Sequence, residues 1–74
     1  MSTTTTTGML ITVEAEYPHG RIETIARFKY LGDAVTIARH FAILSACSDR
    51  DPIRYAVRDD GRLFARYHGE DRIA

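Results

Sequence analysis

From Met9 to Tyr30 the apolar side chains fall on alternate positions, the period-two pattern of strands buried on one face. Met9, Ile11, Val13, Ala15 and Tyr17 share one side, and Leu10, Thr12, Glu14 and Glu16 share the other. Pro18-His19-Gly20-Arg21 supplies a turn, after which Ile22, Thr24, Ala26, Phe28 and Tyr30 alternate again. With His19 and Gly20 as the two central turn residues, Tyr17 faces Ile22, Ala15 faces Thr24, Val13 faces Ala26, Ile11 faces Phe28 and Met9 faces Tyr30. Every apolar residue then meets a partner on its own face, and a slip of one would turn one strand inside out. The other face holds Leu10, Thr12, Glu14, Glu16, Arg21, Glu23, Ile25, Arg27 and Lys29.

At Leu31-Gly32-Asp33 the alternation stops, and from Ala34 the spacing becomes helical. Asp33 suits the cap, where a carboxylate accepts from free amides and complements the positive end of the helix dipole. Steps of 100° gather Ala34, Ile37, Ala38, Phe41, Leu44 and Ser45 into one stripe, widened by Val35 and Ala42. Thr36, Arg39, His40, Ile43 and Cys47 lie opposite. The helix is expected to end between Ala46 and Ser48, because Ser48-Asp49-Arg50-Asp51-Pro52 is polar and Pro52 disfavours helix at Asp51.

A second hairpin follows in Ile53–Tyr67, where two runs rich in β-branched and aromatic residues flank Asp59-Asp60-Gly61. A three-residue loop pairs Arg58 with Arg62, Val57 with Leu63, Tyr55 with Ala65 and Ile53 with Tyr67. One face then carries Ile53, Tyr55, Val57, Leu63, Ala65 and Tyr67; the other carries Arg54, Ala56, Arg58, Arg62, Phe64 and Arg66. A two-residue loop shifts the pairing by one and scatters the arginines over both faces, so the longer loop is preferred.

The predicted order is β-β-α-β-β, an α+β fold with one amphipathic helix on one face of a four-stranded, mainly antiparallel sheet. Strand order stays open. The threonine-rich residues 1–8 read as a disordered tail, 9–68 as a single domain and 69–74 as a frayed C-terminal tail.

Composition narrows function more than it names it. A chain of 74 residues hides only about 60% of the surface it exposes when unfolded. One sheet and one helix leave little room for a deep pocket, so the expectation is a protein that is not an enzyme. The formal net charge is zero, which argues against a surface wholly given to nucleic acid and against an acidic mimic of it. Of the ten basic residues only Lys29 is lysine, a bias that fits planar, bidentate contacts as well as GC-rich coding. Cys47 is the single cysteine, which fits a reducing compartment. With no run of about 18 apolar residues and no signal-peptide pattern in the first residues, the chain is expected in the cytoplasm.

Catalytic constellations are missing from the pattern. His40 and Cys47 share a helix side but stand two turns apart, about 10 Å by the helix rise. His19 and His68 have no metal-ligand spacing, and Asp59-Asp60 has the local role of turn aspartates. No cofactor and no metal is expected.

What stands out is the sheet face away from the helix, where Arg54, Arg58, Arg62 and Arg66 surround Phe64, with Ile25, Arg27 and Leu10 on the neighbouring hairpin. Arginines interleaved with an exposed aromatic suit single-stranded nucleic acid, through stacking and phosphate contacts. The same residue types are enriched at protein interface hot spots. A third possibility is a solvated face whose arginines pair across strands with Glu14, Glu16 and Glu23. The leading expectation is a small interaction protein that binds and blocks or regulates a protein or nucleoprotein complex, with a nucleic-acid-binding module as the alternative. Inhibitors that phages and mobile elements direct at bacterial defence complexes, such as anti-CRISPR proteins, share this size and architecture; that is analogy without a motif. Ile43 with Cys47, and Leu10 with Ile25, also allow a homodimer contact.

Overall fold

The computed structural model describes residues 10–74. Five strands and one helix follow in the order β1 (Ile11–Glu16), β2 (Ile22–Phe28), α1 (Leu31–Ser48), β3 (Arg54–Asp59), β4 (Arg62–His68) and β5 (Asp71–Arg72). The strands form one antiparallel sheet in the order β2-β1-β3-β4-β5, so α1 carries the chain from an edge strand back to the centre. The α+β architecture is the expected one, with five strands in place of four. Asp71 and Arg72, inside the stretch expected to fray, pair with His68 and Tyr67. The threonine-rich run and Met9, expected opposite Tyr30, lie outside the described residues.

In the first hairpin two departures from the expected register cancel. The loop is three residues, Pro18–Gly20: the Tyr17 amide donates to the Arg21 carbonyl at 2.8 Å and the Gly20 amide to that of Tyr17 at 2.9 Å. Gly20 closes it at φ 97°, where a side chain would be strained. A bulge then leaves Ile25 without a partner, and beyond it Val13 faces Ala26 and Ile11 faces Phe28. Between loop and bulge the sides are exchanged. Ile22 faces Glu16 and Thr24 faces Glu14, on the side away from the helix, while Glu23 faces Ala15.

The second hairpin corrects the preferred loop. Asp60 (φ 52°) and Gly61 (φ 83°) form a two-residue turn with both central residues left-handed, the geometry whose twist matches a hairpin. Asp59 therefore faces Arg62, and Arg58 faces Leu63. A second bulge, at Phe64, restores the expected sides but not the expected partners: Val57 faces Ala65 in place of Leu63, Tyr55 faces Tyr67 in place of Ala65, and Ala56 faces Arg66.

Val13 and Val57 are the largest fully buried side chains, flanked by Ile11, Ala15, Tyr55, Ala65 and Tyr67. From the helix, Ala34, Ala38 and Ala42 are fully buried and Ser45 nearly so. The helix thus meets the sheet through its smallest residues, and the sheet tyrosines fill the space that larger helix side chains would take. All four buried helix residues belong to the expected stripe, which is narrower than expected. Phe41 (37%) and Leu44 (47%) stay exposed at its flank, with the Phe41 ring 5.8 Å from that of Tyr55.

At its start the helix also differs from expectation. It begins at Leu31 after Tyr30, so Asp33 lies inside the first turn and makes no capping hydrogen bond, keeping only its favourable charge. Its end at Ser48 is as expected. The buried Ser45 hydroxyl donates to Asp49 and accepts from the Ile53 amide at 2.8 Å, tying the end of α1 to the approach of β3. No described helix is long and apolar enough to cross a membrane.

Candidate functional site

With α1 on one side, the other side of the sheet is open, and the strand register arranges it in cross-strand rows. Arg27, Thr12, Arg58 and Leu63 form one row across β2, β1, β3 and β4. Thr24, Glu14, Ala56 and Arg66 form the next. Ile22, Glu16 and Arg54 form the third.

Two ion pairs knit these rows together. Arg58 Nε donates to Glu14 Oε1 at 2.8 Å, and Arg58 Nη1 donates to the Gly61 carbonyl at 3.4 Å. Arg66 grips Glu16 with both arms of its guanidinium, Nε at 2.7 Å and Nη2 at 3.0 Å. Glu16 is on β1 and Arg66 on β4, so this contact spans β3. Ala56, the β3 residue in the row of Glu14 and Arg66, has no exposed surface although no helix covers this face.

Of the residues singled out in the sequence, Arg27, Arg54, Arg58 and Arg66 share the open face. Arg54 and Arg27 are exposed, and neither has an ion-pair partner among the described residues. Arg62 leaves the group: the two-residue turn sets it opposite Asp59, which faces Ile11 on the helix side of the register. Ile25 and Phe64 are the extra residues of the two bulges, both partly exposed. The Arg72 guanidinium lies 5.3 Å from the Phe64 ring centre, and its Nη2 donates to the Phe64 carbonyl at 3.0 Å. Sequence reasoning missed Leu63 and Ile22 as open-face residues. The signal for Leu63 was Asp60-Gly61 itself, a favoured pair for two-residue turns.

On the helix side, the Tyr17 hydroxyl donates to Glu23 Oε1 at 2.9 Å, which holds the Tyr17 pKa above 10.0; partial desolvation and the Glu23 charge add to the rise and Arg21 opposes it. Burial, and then the proximity of Tyr17 and Asp49, raise that of Tyr55. His40 and Cys47 are both exposed on α1. Ile43, expected beside Cys47 as a dimer contact, is partly buried. No group of three or more potential metal ligands is gathered among the described residues.

The fold and site define an α+β domain with a charge-paired open sheet. No family model, no curated protein and no solved structure matches this chain.

Proposed function

We propose that the chain is an interaction protein without catalytic activity that docks on a protein partner through the open sheet face. The pairing of Arg58 with Glu14 and of Arg66 with Glu16 carries this reading. Two central arginines have their charge met by carboxylates, so a phosphate backbone laid across the face would meet Glu14 and Glu16 as well as cations. The same pairs hold both arginines in place before any partner arrives, which lowers the ordering cost of binding. Leu10, Ile22, Ile25, Leu63 and Phe64 provide exposed apolar surface around or beside them. Ordered arginines with aromatic and aliphatic neighbours are the composition of protein interface centres.

Size and architecture support a regulator or inhibitor, of the kind that phages and mobile elements direct at host defence complexes. Binding a multi-subunit complex needs no chemistry of its own, only a surface.

The test is affinity capture from a bacterial lysate with the wild-type chain and with Leu63→Glu. A partner held by wild type and lost with Leu63→Glu supports the reading. Equal capture by both counts against it. So does tight binding of a single-stranded oligonucleotide with a steep inverse salt dependence, the signature of phosphate contacts.

A further inference from the structure

The two edges of the sheet are unlike. β4 is covered: β5 pairs with Tyr67 and His68, the Ile73 amide donates to the Arg66 carbonyl at 2.7 Å, and Arg72 Nη2 donates to the Phe64 carbonyl at 3.0 Å. β2, at the other end of the sheet, pairs with β1 alone. Among the described residues no turn and no further strand hydrogen-bonds to its outer backbone. Ile22 and Ile25 are exposed along it. Such an edge alternates amide donors with carbonyl acceptors, a pattern that another extended backbone matches in spacing.

The charges on β2 decide between a second copy of the chain and a different partner. In sequence they look self-complementary, with Glu23 and Arg27 equally far from Ile25. The bulge at Ile25 breaks this match. Glu23 faces Ala15 on the helix side and Arg27 faces Thr12 on the open side, so two copies paired antiparallel about Ile25 would hold these side chains on opposite faces. The registers to either side set Arg27 of one copy against Ile22 or Thr24 of the other, and neither is a carboxylate. Arg27 is exposed and has no ion-pair partner among the described residues. Its cross-strand row contains a second arginine, Arg58, and no acid, while Glu14 in the next row is held by Arg58.

We infer that β2 takes up an extended segment of a protein partner as a further strand, with an acidic side chain of that segment beside Arg27. The main chain of the edge supplies the hydrogen bonds, and Arg27 sets the charge of the occupant. Ile22 and Ile25 give apolar contact to its neighbouring side chains. The inference goes beyond docking on the open face, because the outer backbone of β2 carries it and Leu63 has no part in it.

Nuclear magnetic resonance of the full chain tests this with the peptide acetyl-Thr-Val-Thr-Glu-Thr-Val-Thr-amide at millimolar concentration. Comparison peptides carry Lys in place of Glu, or N-methylated amides throughout, which cannot donate to a strand edge. The Glu peptide is expected to slow hydrogen exchange and give cross-strand contacts at Glu23–Phe28, and to leave β4 unchanged. The N-methylated peptide has no effect. Arg27→Glu weakens the Glu peptide about fivefold, the worth of a cross-strand charge pair, and reverses the preference towards the Lys peptide. Arg39→Gln, on the helix, changes nothing. Absence of binding, equal binding of the N-methylated peptide, or equal binding of the Glu and Lys peptides overturns the inference. So does a chain that is dimeric by itself with the β2 amides already protected. Leu63→Glu leaves the peptide bound whether or not it abolishes capture from lysate, so the edge and the open face fail separately.

Discussion

Arg66 on β4 reaches across β3 to hold Glu16 on β1 through two hydrogen bonds of 2.7 and 3.0 Å. Only 28% of the arginine side chain and 15% of the glutamate side chain are exposed, so water screens this pair less than a surface pair. Its two-armed geometry also exceeds that of the common exposed pair. A double-mutant cycle of Arg66→Leu and Glu16→Gln, read by urea unfolding, is expected to give a coupling of about 1 kcal/mol. A coupling of zero would mean that the contact is ornamental.

Ser45 predicts a larger effect at the junction of α1 and β3. Its hydroxyl accepts from the Ile53 amide at 2.8 Å and is itself buried. Ser45→Ala leaves that amide without a partner and is expected to cost about 1–2 kcal/mol of stability. Ser48→Ala, at the exposed helix end, should cost little by comparison. Equal losses in the two variants would remove the special role given to Ser45.

The turn at Asp60-Gly61 separates backbone strain from packing. A methyl group added at Gly61 meets nothing within 4 Å, so Gly61→Ala tests only the φ of 83°. The expected loss is about 1–2 kcal/mol, the cost of left-handed backbone for a residue with a Cβ. Asp60→Asn, which keeps a residue tolerant of that region, should be close to neutral. Thermal unfolding of the two variants side by side decides it, and a stable Gly61→Ala chain would speak against the two-residue loop.

Tyr17 gives the fold a pH dependence at the alkaline end. Its pKa is raised above 10.0, first by its hydrogen bond to Glu23, so the folded state favours the neutral phenol. The contribution is complete below pH 10.0 and is lost as pH rises through the folded value. Glu23→Ala should move the tyrosinate absorbance of Tyr17 to lower pH, read against Tyr17→Phe to assign the signal. No movement would show that Glu23 does not set the titration.

Much of the fold could be read from alternation and helical spacing, and what could not be read has local physical causes. Val13–Ala26 and Ile11–Phe28 face each other as expected because a longer loop and a bulge at Ile25 compensate. Neither bulge carries a glycine: Ile25 and Phe64 are ordinary strand residues, and nothing in their type distinguishes an unpaired position from a paired one. The open face survives the two-residue loop for the same reason, since the bulge at Phe64 returns Arg66 to the side of Arg54 and Arg58 while Arg62 is lost from it. The helix stripe was read too wide because hydrophobicity favours Phe41 and Leu44, whereas close approach to a tyrosine-lined sheet favours Ala34, Ala38 and Ala42, which the expected stripe also contained. The ion pairs could be named as one possibility from composition, but which carboxylate meets which arginine depends on the register.

The most direct test of the open face as a docking surface is methyl resonance mapping of the isotope-labelled chain bound to its captured partner. Ile22, Ile25 and Leu63 carry methyl groups exposed on or beside the open face, and Leu44 carries exposed ones on the helix flank. The expected result is that the first three shift or broaden on binding and Leu44 does not. Perturbation confined to Leu44 and Ile37, with Leu63 unmoved, would contradict the account and place the partner on the helix.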